Sequence, residues 1–281
     1  MLVDYEGKAV LVTGGTKGIG LATALAFARR GASVTVTHKW GSVEEERILE
    51  GFREAHAAPP SVVEADATNA DDVRRVIEQI HASHGAPFAI VSNVAMAPSV
   101  HSLDDYVQRN LHRTIDATAW PLVAHILATR QVCGKLPSYV VGVSSAGAEA
   151  FHSAYDFAAA GKAVLETLVR YLSHRLMPDG VRVNAVRTRF VDTESIRTLM
   201  GADFPPFVEK YAPDLLTPVK DVAEAIFGLC SGLMDGMAGQ VLTVDRGAAF
   251  ADGFSRFYRD HQQGSFGAHS PEDGDEDHEP R

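Results

Sequence analysis

The chain has 281 residues, 46% of them hydrophobic and 22% charged, with a formal net charge of −10. That composition excludes a collagen-like, low-complexity or largely disordered chain and suits one large globular domain or two small ones. No uncharged apolar run reaches the length of a membrane-spanning helix, and Met1 to Glu6 lack the basic and apolar regions of a signal peptide, so a cytoplasmic location is expected.

From residue 8 to 247 apolar runs alternate with helical stretches, the pattern of a parallel sheet covered by helices on both faces. The first run, Ala9–Thr13, reads as a strand. It enters Gly14-Gly15-Thr16-Lys17-Gly18-Ile19-Gly20 and then a helix from Leu21 to Arg30, stopped by Gly31. Glycines between a first strand and a helix let the backbone turn sharply and approach a pyrophosphate at the positive helix terminus, which points to a dinucleotide. The second strand, Ser33–Thr37, ends in Thr37-His38-Lys39-Trp40 with no acid until Glu44. A carboxylate there normally binds the ribose 2′-hydroxyl. Its absence, with Lys17 and Lys39 nearby, suits a 2′-phosphate and favours NADPH, although surface lysines are also ordinary.

Five more strands follow, Ser61–Glu64, Phe88–Ser92, Ser138–Ser144, Arg182–Val186 and Gln240–Val244. Seven strands in near-continuous Val, Leu, Ala and Ile imply one doubly wound α/β sheet of Rossmann type, buried on both faces. No repeat or linker interrupts it, so one domain is expected over residues 1–261. Residues 262–281 carry six acids against Arg281, half the net charge, and read as a disordered acidic tail. His269 and His278 in that tail read as solvated rather than metal-binding. No metal is expected. Cys133 and Cys230 are too few and too far apart for a disulfide framework or zinc site and read as buried thiols. Nucleic acid is not expected as a partner, because no basic cluster is evident.

Thr13-Gly14-x-x-x-Gly18-x-Gly20, Asp66, Lys162, Val183-Asn184-Ala185-Val186, Val219-Lys220-Asp221-Val222-Ala223 and Gly239-Gln240-Val241-Leu242-Thr243-Val244-Asp245 together resemble the short-chain dehydrogenase/reductase family over about residues 5–250. The resemblance implies a cofactor site of Gly14, Thr16, Lys17, Gly18, Ile19, Gly20, His38, Lys39, Asp66 at the adenine ring, Ala67, Asn93, Lys162, Val191 and Thr193. It also implies chemistry by a serine, a tyrosine and a lysine, with Lys162 holding the nicotinamide ribose and lowering the tyrosine pKa.

The departures are informative. Ordinary members carry Tyr-x-x-x-Lys, but Ala158 stands four before Lys162, and the nearest upstream tyrosine is Tyr155. On a continuous helix, separations of 4 and 7 both fall near the lysine's face, and the second lies about 4.5 Å farther along the axis. Tyr-x6-Lys is the spacing of this family's enoyl-acyl-carrier-protein reductases. They deliver hydride to a β-carbon two bonds from the carbonyl carbon, so the oxygen's donor must stand farther off. Ser144-Ser145-Ala146-Gly147-Ala148-Glu149 and Lys162-Ala163-x-Leu165-Glu166 are similar to theirs too. The resemblance thus implies Tyr155, Lys162 and Ser145 as catalytic residues, with Tyr155 stabilising an enolate and Ser145 adding a second hydrogen bond.

The family's Asn-Asn-Ala-Gly reads Ser92-Asn93-Val94-Ala95 here, its relay asparagine falls on Thr118 with Asn110 eight residues early, and its Pro-Gly pair is replaced by Thr188-Arg189. Arg187 and Arg189 could meet a substrate carboxylate or a carrier phosphate, or could be solvated loop charges. Residues 187–215, with Phe190, Met200, Phe204, Phe207 and Tyr211 around Pro205-Pro206, form the family's variable substrate segment. They could line a site for a greasy substrate or merely pack the lid. Leu165, Leu168, Val169, Leu172 and Leu176 stripe the helix from Tyr155 to Arg175, which in the family commonly pairs across a dimer or tetramer, so a homo-oligomer is expected. Three functions stay open: an NADPH-dependent enoyl thioester reductase of fatty-acid or polyketide type, a carbonyl reductase of secondary metabolism with a re-sited tyrosine, and a non-catalytic dinucleotide-binding protein.

Overall fold

The structure is a computed structural model that describes residues 2–39, 44–250 and 253–262. Trp40 and the tail from residue 263 onward therefore lie outside the described residues. All seven anticipated strands form: β1 (Ala9–Val12), β2 (Ser33–His38), β3 (Ser61–Glu64), β4 (Ala89–Ser92), β5 (Tyr139–Ser145), β6 (Arg182–Thr188) and β9 (Val241–Val244). They pair in the order β3-β2-β1-β4-β5-β6-β9, every neighbour parallel. The winding reverses between β1 and β4, and such a reversal opens a crevice beyond the carboxyl ends of those strands.

Alternate residues of each strand face opposite layers. Val10, Val12, Val34 and Val36 point to the layer that holds α1 (Gly18–Ala28) and α9 (Val219–Cys230), where Phe27 and Phe227 are buried with Tyr5. Tyr5 meets Phe27 edge-on at 5.2 Å and donates its hydroxyl proton to the Cys230 carbonyl at 2.7 Å. On the other face Ala9, Leu11 and Ile90 pack against α3 (Ala70–His84) and α5 (Trp120–Cys133). Val140, Val183 and Ala185 pack there against Leu122 of α5 and against Leu165 and Val169 of α6 (Asp156–Leu176). The α4 helix (Gln108–Thr118) crosses α6 at Gly161, where an added Cβ would sit 3.0 Å from Thr114 and 3.2 Å from Thr118.

Four expectations need correction. Tyr155 is not in the helix: α6 begins at Asp156, and Tyr155 precedes it with φ −107° and ψ 5°. The helical-face comparison of Tyr155 with position 158 therefore does not hold. Cys230 is buried, but Cys133 is only partly so. The first helix starts at Gly18, three residues early, because the glycine turn itself supplies its first turn. An unanticipated two-stranded sheet, β7 (Phe190–Val191) with β8 (Leu216–Thr217), ties together the two ends of the substrate segment. Between them lie α7 (Glu194–Met200) and α8 (Phe204–Tyr211). After the sheet, α10 spans Gly253–Gln262. Among the described residues no helix is long and apolar enough to cross a membrane.

Because Phe27 is fully buried between two other aromatic rings, Phe27→Ala is expected to cost about 4 kcal/mol, as large aromatic truncations in cores do. Urea denaturation of the two proteins measures it, and a cost below about 1 kcal/mol would contradict the assigned packing.

Candidate active site

A cavity of about 1130 Å³ opens at the switch between β1 and β4. It exceeds the roughly 300–1,000 Å³ of ordinary small-molecule pockets, as a dinucleotide plus a substrate requires. At one end runs the turn after β1. Gly14 and Gly18 there have φ of 60° and 54°, a left-handed conformation that glycine adopts without strain. An added Cβ on Gly20 would lie 2.2 Å from the Gly14 carbonyl, and one on Gly15 2.6 Å from Val36. Gly14, Thr16, Lys17, Gly18 and Ile19 line the cavity, whereas Gly20 stands behind it as packing. The backbone cradle and the start of α1 fit a pyrophosphate. Asn93, after β4, lines the cavity and donates from its amide to the Thr13 and Gly14 carbonyls, at 3.2 and 3.0 Å, fixing the turn from across the crevice.

His38, Lys39, Asp66 and Ala67 line the same end. Lys39 is paired with Asp66 at 2.7 Å, and Lys17 with Glu194 of α7 at 2.6 Å, so neither cation stands without a carboxylate. Desolvation pushes the Asp66 carboxyl up, but hydrogen bonds from Lys39 and Thr68 outweigh it and hold the group below its ordinary value. Arg47 of α2 (Glu45–Glu54) also lines this end. Sequence reasoning missed it, although a cation nine residues past β2 was a usable signal.

Toward the other end the cavity is lined by Ser145, His152, Tyr155, Lys162, Val191 and Thr193. Ala154, just before Tyr155, takes the left-handed conformation with φ 62°, which costs a non-glycine residue about 1–2 kcal/mol. Its carbonyl accepts a hydrogen bond from Val100, at 3.3 Å. That turn delivers Tyr155 to the head of α6. The edge of the phenol ring then lies against Gly147, where an added Cβ would come within 2.4 Å of the ring. Burial raises the Tyr155 pKa against the opposing effect of the neighbouring Ser145 hydroxyl, so the phenol keeps its proton at neutral pH.

Lys162 is 5% exposed and donates to the Val143 carbonyl at 2.6 Å. Desolvation pulls its pKa down to about 8, against the attraction of Glu166. Glu166 itself is the centre of a buried cluster. It accepts from the Ser144 hydroxyl at 2.7 Å and from Arg187 Nε and Nη2 at 3.0 and 2.7 Å, and Arg187 also bonds Glu149. Arg187 is thus neither a phosphate contact nor a solvated loop charge; it is a structural cation consumed by two carboxylates. Glu166 and Glu149 were visible in the sequence only as parts of motifs, without a partner. Thr118 and Asn110 are not part of the cavity lining: the Thr118 hydroxyl is buried without a partner among the described residues, and Asn110 lies along α4.

Phe190 and Met200 from the substrate segment line the cavity, and Phe204 backs Phe190 edge-on at 5.2 Å. Phe207 and Tyr211 are not part of that lining and pack on each other, at 4.8 Å. Among the described residues no group of three or more His, Cys, Asp or Glu could hold a metal ion.

A seven-stranded doubly wound sheet with this crevice and side-chain set defines a dinucleotide-binding oxidoreductase class. The family model described as enoyl-(acyl carrier protein) reductase matches residues 14–249, and the chain belongs to the short-chain dehydrogenase/reductase family. It is 31% identical to the cis-4-hydroxycyclohexanecarboxylate dehydrogenase of Sinomonas cyclohexanicum, over 86% of this chain and 97% of that one. It is 27% identical to the 1-cyclohexenylcarbonyl-CoA reductase of Streptomyces collinus, over 84% of this chain and 85% of that one. In fold it is similar to a short-chain dehydrogenase from Burkholderia cenocepacia solved with NADP, with a TM-score of 0.76 and 24% identity, covering 88% of this chain and all of that one.

The buried ammonium of Lys162 has a consequence for stability. Between its folded pKa of about 8 and an unfolded value near 10.4, the unfolded chain binds a proton that the folded chain does not, so stability contributed by this site rises with pH. At pH 7 the site is destabilising by about 3 kcal/mol. In Lys162→Met that rise between pH 8 and 10 is expected to vanish, as urea titrations of both proteins across that range will read. An equal rise in both would refute it.

Proposed function

We propose that this oxidoreductase is an NADPH-dependent reductase of the conjugated C=C bond of an enoyl thioester, of fatty-acid or polyketide type. The observation that carries the reading is the phenol of Tyr155, set edge-on against Gly147 and sharing the cavity lining with Ser145 and Lys162, while position 158 is Ala. A nicotinamide held in this cavity would supply the hydride that the β-carbon receives. Negative charge then develops on the thioester oxygen, three bonds from the carbon attacked. Tyr155, protonated and desolvated, donates a hydrogen bond to that oxygen, and Ser145 adds a second donor. Lys162 keeps the field there positive and holds the cofactor ribose, and the α-carbon takes a proton from solvent. The names of the matching family model and of the Streptomyces collinus relative support the substrate class.

For the cofactor, Lys17, Lys39 and Arg47 gather at one end of the cavity, and the end of β2 offers no carboxylate. A 2′-phosphate would exchange with Asp66 and Glu194 for the two lysines, which supports NADPH. Trp120 of α5 and Tyr171 of α6 are exposed on neighbouring helices, which supports a homo-oligomer built on that face. A cytoplasmic location remains the reading of the sequence.

The test is NADPH oxidation with the crotonyl thioester of N-acetylcysteamine beside cyclohexanone, in wild type and Tyr155→Phe. The thioester is expected to be turned over and the ketone not. Tyr155→Phe should lower kcat by roughly 10²–10³, the effect of removing one oxyanion donor, with NADPH affinity retained. Turnover of the ketone alone, or full activity in Tyr155→Phe, would overturn the reading.

A further inference from the structure

Arg189 stands in the Thr188-Arg189 pair where the family resemblance expects Pro-Gly, so a glycine gives way to the largest cationic side chain. It lines the cavity at the end of β6. Two residues away, Arg187 is saturated by Glu166 and Glu149. Arg189 forms no ion pair with any described residue; its Nη1 reaches only toward the Ala248 carbonyl, at 3.4 Å, and its Nε is buried with no hydrogen-bond partner. A guanidinium presents five donors in a planar fork, and a buried donor without an acceptor is costly. Nε itself is enclosed, but Nη2 makes no hydrogen bond with any described residue, and a ligand in the cavity that Arg189 lines can bring its acceptor. The fork geometry matches a carboxylate.

Neighbouring side chains define which part of a ligand reaches it. The guanidinium carbon lies 5.6 Å from the Phe190 ring, Phe190 meets His152 edge-on at 5.5 Å, and His152 is 6.1 Å from the Tyr155 ring. Tyr155 and Arg189 thus stand at opposite ends of a wall made of His152 and Phe190. Burial, and then the charge of Arg189, lower the His152 pKa, so the imidazole is neutral and the positive charge of the wall resides on Arg189. Resting on the reductase reading for its first half, we propose that Arg189 binds a carboxylate at the far end of the acyl group. The substrate is then an enoyl thioester of a dicarboxylic acid, with its thioester at Tyr155 and its free carboxylate on Arg189.

The probes are the N-acetylcysteamine monothioester of 2-hexenedioic acid and the uncharged 2-hexenoic thioester. Both are assayed for NADPH oxidation, and their saturated counterparts are titrated calorimetrically into the protein with NADP⁺. Wild type, Arg189→Met and Arg189→Lys are compared, with NADPH affinity as the control for folding. The wild type is expected to favour the carboxylate compound at least tenfold in both kcat/KM and binding. Arg189→Met should bring that ratio to within twofold of unity, and Arg189→Lys should restore part of it. No preference in wild type, or a preference that survives in Arg189→Met, overturns the assignment. A tenfold loss of NADPH affinity in Arg189→Met overturns it too, since the guanidinium would then serve the cofactor's phosphates. If neither thioester is reduced but the binding preference appears and depends on Arg189, the carboxylate site stands and the enoyl reading falls.

Discussion

The active end of this molecule depends on how the head of α6 is fastened to the end of β5. Two contacts do it: the Lys162 ammonium on the Val143 carbonyl at 2.6 Å, and the Tyr155 ring on Gly147. Neither tolerates a substitute of different size or charge. The ammonium is desolvated and reaches past the side chains to a strand carbonyl; the ring occupies the space where any other residue at 147 would place its Cβ. Beneath them, Glu166 draws Ser144 and Arg187 into one buried cluster that joins β5, β6 and α6. Buried ion pairs of this kind add little net stability against an apolar core of the same volume, yet removing one partner is costly, so their effect is to permit a single arrangement. What they arrange is the set of side chains that line this end of the cavity.

The cofactor end follows a different logic. It is held by backbone shape: two glycines with positive φ, two more whose missing side chains admit neighbouring backbone and Val36, and the Asn93 amide stapling the turn from β4. Charges there are mobile by comparison. Lys17–Glu194 and Lys39–Asp66 are partly exposed pairs whose partners a phosphate can replace, since exposed ion pairs contribute only about 0–1 kcal/mol. The two ends meet through β7–β8 and Thr193, which packs against the spot where a side chain on Gly18 would project.

Much of this was legible in the amino-acid sequence, for physical reasons. The inner strands are buried on both faces and so must be largely apolar, which made them visible as runs of Val, Leu, Ala and Ile; the edge strands β3 and β9 are partly exposed and were legible from their Val and Leu alone. The glycine turn, Asp66 and Lys162 were legible because backbone geometry and a dinucleotide constrain residue type closely. What escaped depended on distant partners. Arg187 looks like any loop arginine until α6 places Glu166 beside it, 21 residues away in the sequence. Lys39 looks free until the parallel pairing of His38 with Glu64 brings Asp66 alongside. His152 carries no motif. Tyr155 was found for its spacing, but the helical-face argument failed, since the left-handed turn at Ala154 leaves the tyrosine ahead of the helix and periodicity cannot report such a turn.

The central claim, that of the proposed function, is that this phenol serves an oxygen three bonds from the carbon that receives hydride. Its most direct test is the position of the label in the product made with NADPH deuterated at the transferring position and a 2-enoyl thioester. The account requires deuterium on the β-carbon of a saturated thioester, read by NMR. No deuterium transfer to the thioester, with deuterium instead on the carbinol carbon of the cyclohexanol made from cyclohexanone, would contradict it and assign the site to carbonyl reduction.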